Sequence, residues 1–230
     1  HLDTLKKDLV ANVSHELRTP VTTIKGFIET LKEGAIDDPK NAERFLNIIT
    51  KHINRLNLLI DDLLTLSKLE QKPDEIKTED ENIYSLLRSV AEDYEFKANE
   101  KKITVNIKCD EKLKANINKH LLEQAIGNLV DNAIKYSDKK SEIELGAEEK
   151  DKQLQIYVKD EGYGISDDHM PRLLERFYRV DKGRSREEGG TGLGLAIVKH
   201  IINTMNGIIE VDSKPGKGSK FTVKIPQKYD

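Results

Sequence analysis

His15 is followed directly by Glu16 and, four residues on, by Thr19, within the run Ser14-His15-Glu16-Leu17-Arg18-Thr19-Pro20. Val13 and Leu17 belong to a helical apolar stripe, so the side chain of His15 points away from that stripe and toward solvent. A solvated imidazole with a pKa of ~6.5 is mostly neutral at pH 7 and keeps a lone pair for nucleophilic attack. Glu16 can accept a proton or orient the ring. Thr19 brings a hydroxyl to nearly the same face, because four residues turn a helix by about 400°. Pro20 cannot donate to the carbonyl of Glu16, which predicts a kink beside His15. The run is not the zinc motif HExxH, since position 19 is threonine. Taken alone, an exposed histidine is most often an ordinary surface residue.

Three further runs have the chemistry of a nucleotide pocket. In Asn128-Leu129-Val130-Asp131-Asn132-Ala133-Ile134-Lys135-Tyr136-Ser137, the amides of Asn128 and Asn132 are four residues apart and share a helix face. An amide oxygen is a hard, neutral ligand of the kind magnesium takes beside waters and phosphates, and Lys135 adds a cation near that face. In Asp160-Glu161-Gly162-Tyr163-Gly164-Ile165, the glycines let the backbone approach a flat ligand, while Asp160 can accept a hydrogen bond from an exocyclic amine such as that of adenine. Gly189-Gly190-Thr191-Gly192-Leu193-Gly194-Leu195 opens a helix, whose first N–H groups suit phosphate oxygens. It lacks the Gly-Lys-Ser/Thr ending of a P-loop and follows no strand as a Rossmann fingerprint must.

The elements that must hold these runs follow from the apolar spacing. Leu5, Leu9, Val13, Leu17, Val21, Ile24, Ile28 and Leu31 mark one helix, and Gly34 to Pro39 break it. A second stripe through Phe45, Ile48, Ile49, His52, Leu56, Leu59, Leu63, Leu66 and Leu69 makes an antiparallel helical hairpin, whose uncovered stripe predicts a homodimer with a four-helix bundle. Residues 71–81 are charged and contain Pro73, which is linker chemistry. The reading is a helical domain at 1–72, a linker at 73–81 and an α/β sandwich at 82–230. In the last, helical runs at 83–101, 119–135 and 193–205 alternate with strand-like runs at 103–107, 143–147, 154–158, 208–211 and 221–225.

Composition narrows the class. The 230 residues carry 38 Lys+Arg against 41 Asp+Glu, a net charge of −3 that argues against nucleic acid as partner. A single cysteine, Cys109, excludes an internal disulfide framework and a multi-cysteine zinc cluster. No apolar run reaches the ~18 residues of a membrane span, and the sequence opens inside a helical pattern, as a fragment of a longer protein would.

SHELRTP, NLVDNAIKYS, DEGYG, the aromatic segment Glu175-Arg176-Phe177-Tyr178-Arg179, GTGLGLAI and the late Pro215-Gly216-Lys217-Gly218-Ser219 occur in this order and together resemble the core of a sensor histidine kinase. The first 70 residues resemble its dimerisation and histidine-phosphotransfer domain. The rest resembles the ATP-binding domain shared with DNA gyrase, Hsp90 and MutL, the GHKL or Bergerat type. Within the family, SHELRTPVTTIKGF is most like the phosphate-regulon sensor kinases.

The resemblance implies that His15 is phosphorylated, with Glu16 assisting proton removal, and that Thr19 positions water to dephosphorylate a partner's aspartyl phosphate. Asn128 and Asn132 would face magnesium-bound ATP, Asn132 as the direct metal ligand. Lys135 and Arg179 would bind phosphates, Tyr136 would lie along the nucleotide, and Asp160 would read the adenine amine. Gly162 and Gly164 would shape the pocket, and Gly190, Thr191, Gly192, Leu193, Gly194 and Leu195 would form the cofactor-binding loop, with Gly192 and Gly194 at the phosphates. Residues 180–186 are charged and glycine-punctuated, as a lid would be. ATP-hydrolysing relatives place a glutamate base where this chain has Asn128, and an amide cannot deprotonate water. The implied partners are a second copy of the chain and the receiver domain of a response regulator. The fragment would be cytoplasmic, its parent anchored in the inner or plasma membrane by segments that precede it. The competing reading is a phosphatase-biased or non-catalytic dimeric signalling scaffold.

Overall fold

The computed structural model describes residues 2–71, 77–180 and 190–227, with side chains from Val10 onward except at residues 70–71. Residues 72–76, which include the first four of the predicted linker, and the predicted lid after Val180 lie outside the described residues. The described chain forms two compact units: residues 2–64 with 190–191, and residues 65–71, 77–180 and 192–227.

The first unit is built on the two helices that the apolar stripes predict. Helix α1 spans Leu2–Lys32 and runs through Pro20 as one element, and α2 spans Pro39–Gln71. Gly34 and the short 3-10 turn Ala35–Asp37 reverse the chain between them. Two cross-pairs fix the antiparallel register: Arg55 on α2 meets Glu16 on α1, and the rings of Phe27 and Phe45 lie 5.1 Å apart. Leu31, Ile49 and Leu59 are buried, while Val10, Val21, Ile28, Leu46, Ile53 and Leu58 remain exposed. An apolar surface of that extent marks an interaction face.

The second unit has a five-stranded sheet in the order β2-β4-β5-β7-β6, where β2 is Thr104–Cys109, β4 Glu142–Lys150, β5 Gln153–Asp160, β6 Ile208–Ser213 and β7 Ser219–Pro226. The β2–β4 pair is parallel and the other pairs are antiparallel. Helices α3 (Ile83–Glu100), α4 (Lys119–Tyr136) and α5 (Gly194–Thr204) supply the other layer. Burial alternates along β5 and β7, so each strand gives one face to the core and the other to solvent. Leu86, Leu122, Ile126, Ile143, Leu145, Ile156, Ile197 and Val223 are completely buried, each worth about 1.5–3 kcal/mol of apolar transfer. Asn82 caps α3 through Ser85 N at 2.7 Å, and Asn118 caps α4 through Leu121 N at 2.9 Å.

Two strands add to the sequence reading. Glu79–Asn82 (β1) pairs antiparallel with Lys114–Ile117 (β3), so Glu79, Asp80 and Glu81, read as linker, stand in a small sheet. Among the described residues no helix is long and apolar enough to cross a membrane.

Candidate functional site: an exposed histidine and an asparagine-faced nucleotide cradle

In the first unit, His15 is exposed in mid-helix, as the stripe requires. Glu16 is half-buried, its Oε2 accepting from Arg55 Nη2 at 2.9 Å, and the Arg55 side chain is only 9% exposed. Glu16 is therefore held by an ion pair across the hairpin beside the imidazole, a constraint absent from the sequence reading. The Thr19 hydroxyl donates to His15 O at 3.2 Å, and Pro20 is buried and leaves Glu16 O without its usual N–H donor. Nearby on α2, His52 carries a buried Nδ1 with no hydrogen-bond partner, and burial, followed by the Arg55 and Lys51 charges, lowers its pKa. Thr191, expected in the cofactor-binding loop, groups with this unit, its hydroxyl donating to Asp62 Oδ2 at 2.6 Å.

In the second unit, α4 organises the site. Its C-terminal turn receives the Asp160 loop: Tyr163 N donates to Tyr136 O at 3.2 Å, and a side chain at Gly162 would collide with that same carbonyl. Asp160 ends β5 and is 6% exposed. Among the described residues its two hydrogen bonds, from Gly162 N at 2.8 Å and Ser219 N at 3.2 Å, fall on Oδ1. Burial pushes its pKa up, while the two backbone donors oppose the shift. Oδ2 is thus left to accept from a ligand amine. Ser219 was not singled out from sequence as the group that aims Asp160, although it lies in the late Pro-Gly-Lys-Gly-Ser motif.

Gly164 has φ +69° and lies against Lys214 O, so a Cβ there would overlap the carbonyl. Gly164→Val should destabilise the second unit by about 3 kcal/mol or more, read as a fall in its thermal midpoint. A change within about 0.5 kcal/mol would show that the loop relaxes freely.

Toward the middle of α4, Asn128 Nδ2 donates to Gln124 O at 3.0 Å, and its Oδ1 sits where a Cβ on Gly194 would come within 3.1 Å. Gly194 opens α5, whose N-terminus has no side-chain cap among the described residues, so its first N–H groups can meet an anion. Asn132 is half-buried, one turn beyond Asn128. Lys135 is committed to Asp131 Oδ2 at 2.5 Å, and Lys97 of α3 pairs with Asp131 Oδ1. Burial by itself would raise the Asp131 pKa, but the Lys135 and Lys97 ammoniums outweigh it and hold the carboxyl below its usual range. Neither Asp131 nor Lys97 was legible as part of the site.

Gly192 has φ +78° and faces Phe177, with Arg179 Nε 3.2 Å from where its Cβ would stand, and Phe177 N donates to Gly192 O at 2.8 Å. The glycine loop and the aromatic–arginine segment therefore meet. Gly190 and Leu195 are half-buried and Leu193 is buried.

The donor set also fits magnesium. No group of three or more His, Cys, Asp or Glu that would hold a metal exists among the described residues, and magnesium characteristically takes a few hard oxygen ligands beside waters and phosphates. The half-buried, neutral Asn132 amide, with Asn128 beside it, suits that role.

This combination defines a class: an α/β domain of the gyrase- and Hsp90-like ATPase type, joined to a helical hairpin that presents a histidine. Residues 117–229 match the model for the histidine kinase-, DNA gyrase B- and HSP90-like ATPase, and residues 5–72 match the His Kinase A phospho-acceptor domain. The chain belongs to the sensor histidine kinases. It is 34% identical over 227 residues to the sensor protein SrrB of Staphylococcus aureus, covering 99% of this chain but 39% of that protein, so it spans well under half the length of such relatives. Among solved structures it is similar to the Acinetobacter baumannii histidine kinase AdeS, at 26% identity and TM-score 0.75, covering 94% of this chain and 98% of AdeS. It is also similar to the histidine kinase ThkA in its complex with the response regulator protein TrrA, at 26% identity and TM-score 0.79, covering 96% and 61% of the two chains.

Proposed function

We propose that the chain is an ATP-dependent autokinase that phosphorylates His15 and passes the phosphoryl group to an aspartate of a response regulator. The observation that carries this reading is the layout along α4. A buried Asp160 with one oxygen left for a base amine lies at its C-terminal end, and Asn128 and Asn132 lie along it toward the N-terminus of α5. That layout accommodates adenine at one end and a triphosphate at the other.

The chemistry follows from the residues. Asp160 accepts from the adenine amine, and the first N–H groups of α5, with Lys135 and Arg179, take phosphate oxygens. Asn132 and Asn128 would hold magnesium, which would supply charge neutralisation at the phosphates. A lone pair of the His15 imidazole attacks the γ-phosphorus, the bond to the bridging oxygen breaks, and ADP leaves with the electron pair. The proton on the attacking nitrogen is lost, with Glu16 as its first acceptor. Catalysis rests mainly on positioning and charge neutralisation. Asn128 has no basic lone pair with which to activate water, so ATP survives until the histidine arrives.

The exposed apolar stripe of α1 and α2 is the surface for a second copy of the chain, and the receiver domain of a response regulator is the acceptor partner. The fragment works in the cytoplasm, with a parent protein anchored in the membrane. A phosphatase role toward the regulator's aspartyl phosphate uses the same hairpin. Thr19→Ala should keep autophosphorylation and lose at least ~10-fold of that phosphatase rate; retention of both activities would remove Thr19 from the role.

Incubation with ATP and magnesium should place one phosphoryl group on the peptide containing His15, mapped by mass spectrometry, with little free phosphate. Phosphate release without a modified protein would overturn the kinase reading in favour of a simple ATPase.

A further inference from the structure

The Asp131 carboxylate serves two ammonium groups at once. Lys135 Nζ lies 2.5 Å from Oδ2 and Lys97 Nζ pairs with Oδ1, with side-chain exposures of 14% for Lys135, 20% for Asp131 and 43% for Lys97. Lys135 reaches back one turn to Asp131, which lays its stem along α4 instead of letting it trail off the C-terminus. Its ammonium is thereby kept at Asp131, the residue that precedes Asn132 on α4.

The same contact is an obstacle. To meet a phosphate, Lys135 must give up Asp131, and a mostly buried carboxylate stripped of its only cation is costly. Lys97 removes that cost, because it stays on Oδ1 and keeps the carboxylate neutralised when Lys135 leaves Oδ2. Repulsion between the two ammoniums further loosens the hold on Lys135. Lys101, the next turn along, is not a competitor for the carboxylate, since its Nζ donates to the carbonyls of Ile134 and Lys135 at 3.0 and 2.8 Å.

We propose that Lys97 is a positioning residue which, through Asp131, frees Lys135 for the nucleotide phosphates. The inference rests on the reading of α4 as the wall of a nucleotide site.

The test is calorimetric titration of the full chain with ATP and, separately, with adenosine, for the wild type, Lys97→Met, Lys97→Arg, Lys135→Met and the Lys97→Met/Lys135→Met double variant. Lys97→Met should weaken ATP about fivefold and leave adenosine unchanged, the arginine variant should restore ATP, and the loss should vanish when Lys135 is already methionine. Equal losses for ATP and adenosine would reduce Lys97 to a structural role and overturn the proposal. So would no change for either ligand, or a loss that persists in full in the Lys135→Met background. A wild-type chain that binds ATP no better than adenosine would instead overturn the nucleotide reading itself, an outcome visible before any variant is compared.

Discussion

Asp160→Asn should abolish ATP binding, by about 100-fold or more, while leaving the second unit folded. The reason lies in which oxygen is occupied. Gly162 N and Ser219 N both donate to Oδ1, so an asparagine must keep its carbonyl oxygen there and turn its NH₂ group outward. A donor would then face the adenine amine, itself a donor. Stability moves the other way. Burial raises the Asp160 pKa in the folded state, so its stabilising contribution is present only where the carboxyl is protonated and is lost as pH rises through the raised value. Above the raised value the ionised side chain is less favoured in the fold than the protonated one, and a neutral amide does not carry that penalty. Thermal melting without nucleotide should give a midpoint equal to or above that of the wild type, beside a calorimetric titration with no detectable ATP heat. Retained ATP affinity would take the adenine contact away from Asp160.

Arg55→Ala should destabilise the helical hairpin by about 3 kcal/mol, the cost of removing one member of a buried ion pair. The side chains of Arg55 and Glu16 are 9% and 17% exposed and meet at 2.9 Å, so solvent screens the pair little. Glu16→Ala in the Arg55→Ala background should cost less than it does alone, because the stranded charge is already gone. Calorimetric melting of the single and double variants reads both quantities. A loss below about 0.5 kcal/mol, typical of an exposed pair, would show that the hairpin does not depend on this bridge. The bridge also ties the residue next to His15 to α2, so the hairpin's two helices share the placement of the turn that carries His15.

Much of this architecture was readable from apolar spacing. The steps of three and four through α1 and α2 placed both helices and the reversal at Gly34, and the alternation in Leu154, Ile156 and Val158 placed the central strand. Strands β1 and β3 escaped for a physical reason. Glu79-Asp80-Glu81-Asn82 has no apolar face and is held by backbone pairing with Lys114-Ala115-Asn116-Ile117, a partner too short to show a period. The site divides in the same way. The Asp160 and Gly162 turn, the paired asparagines and the glycine loop each carry their chemistry in local spacing. The groups that hold them do not: Ser219 is 59 residues from Asp160, Lys97 is 34 from Asp131, and Arg55 is 39 from Glu16. A lysine or arginine on a helix reads as solvated until the fold shows which carboxylate it meets, as Arg55 meets Glu16.

The most direct test of the central claim is to incubate the full chain with γ-labelled ATP and magnesium, beside the His15→Gln variant, and to challenge the labelled protein with acid and alkali. The account predicts label on the wild type that is lost in acid, survives alkali and is absent from the variant. Label that survives acid, or that persists in His15→Gln, would contradict it.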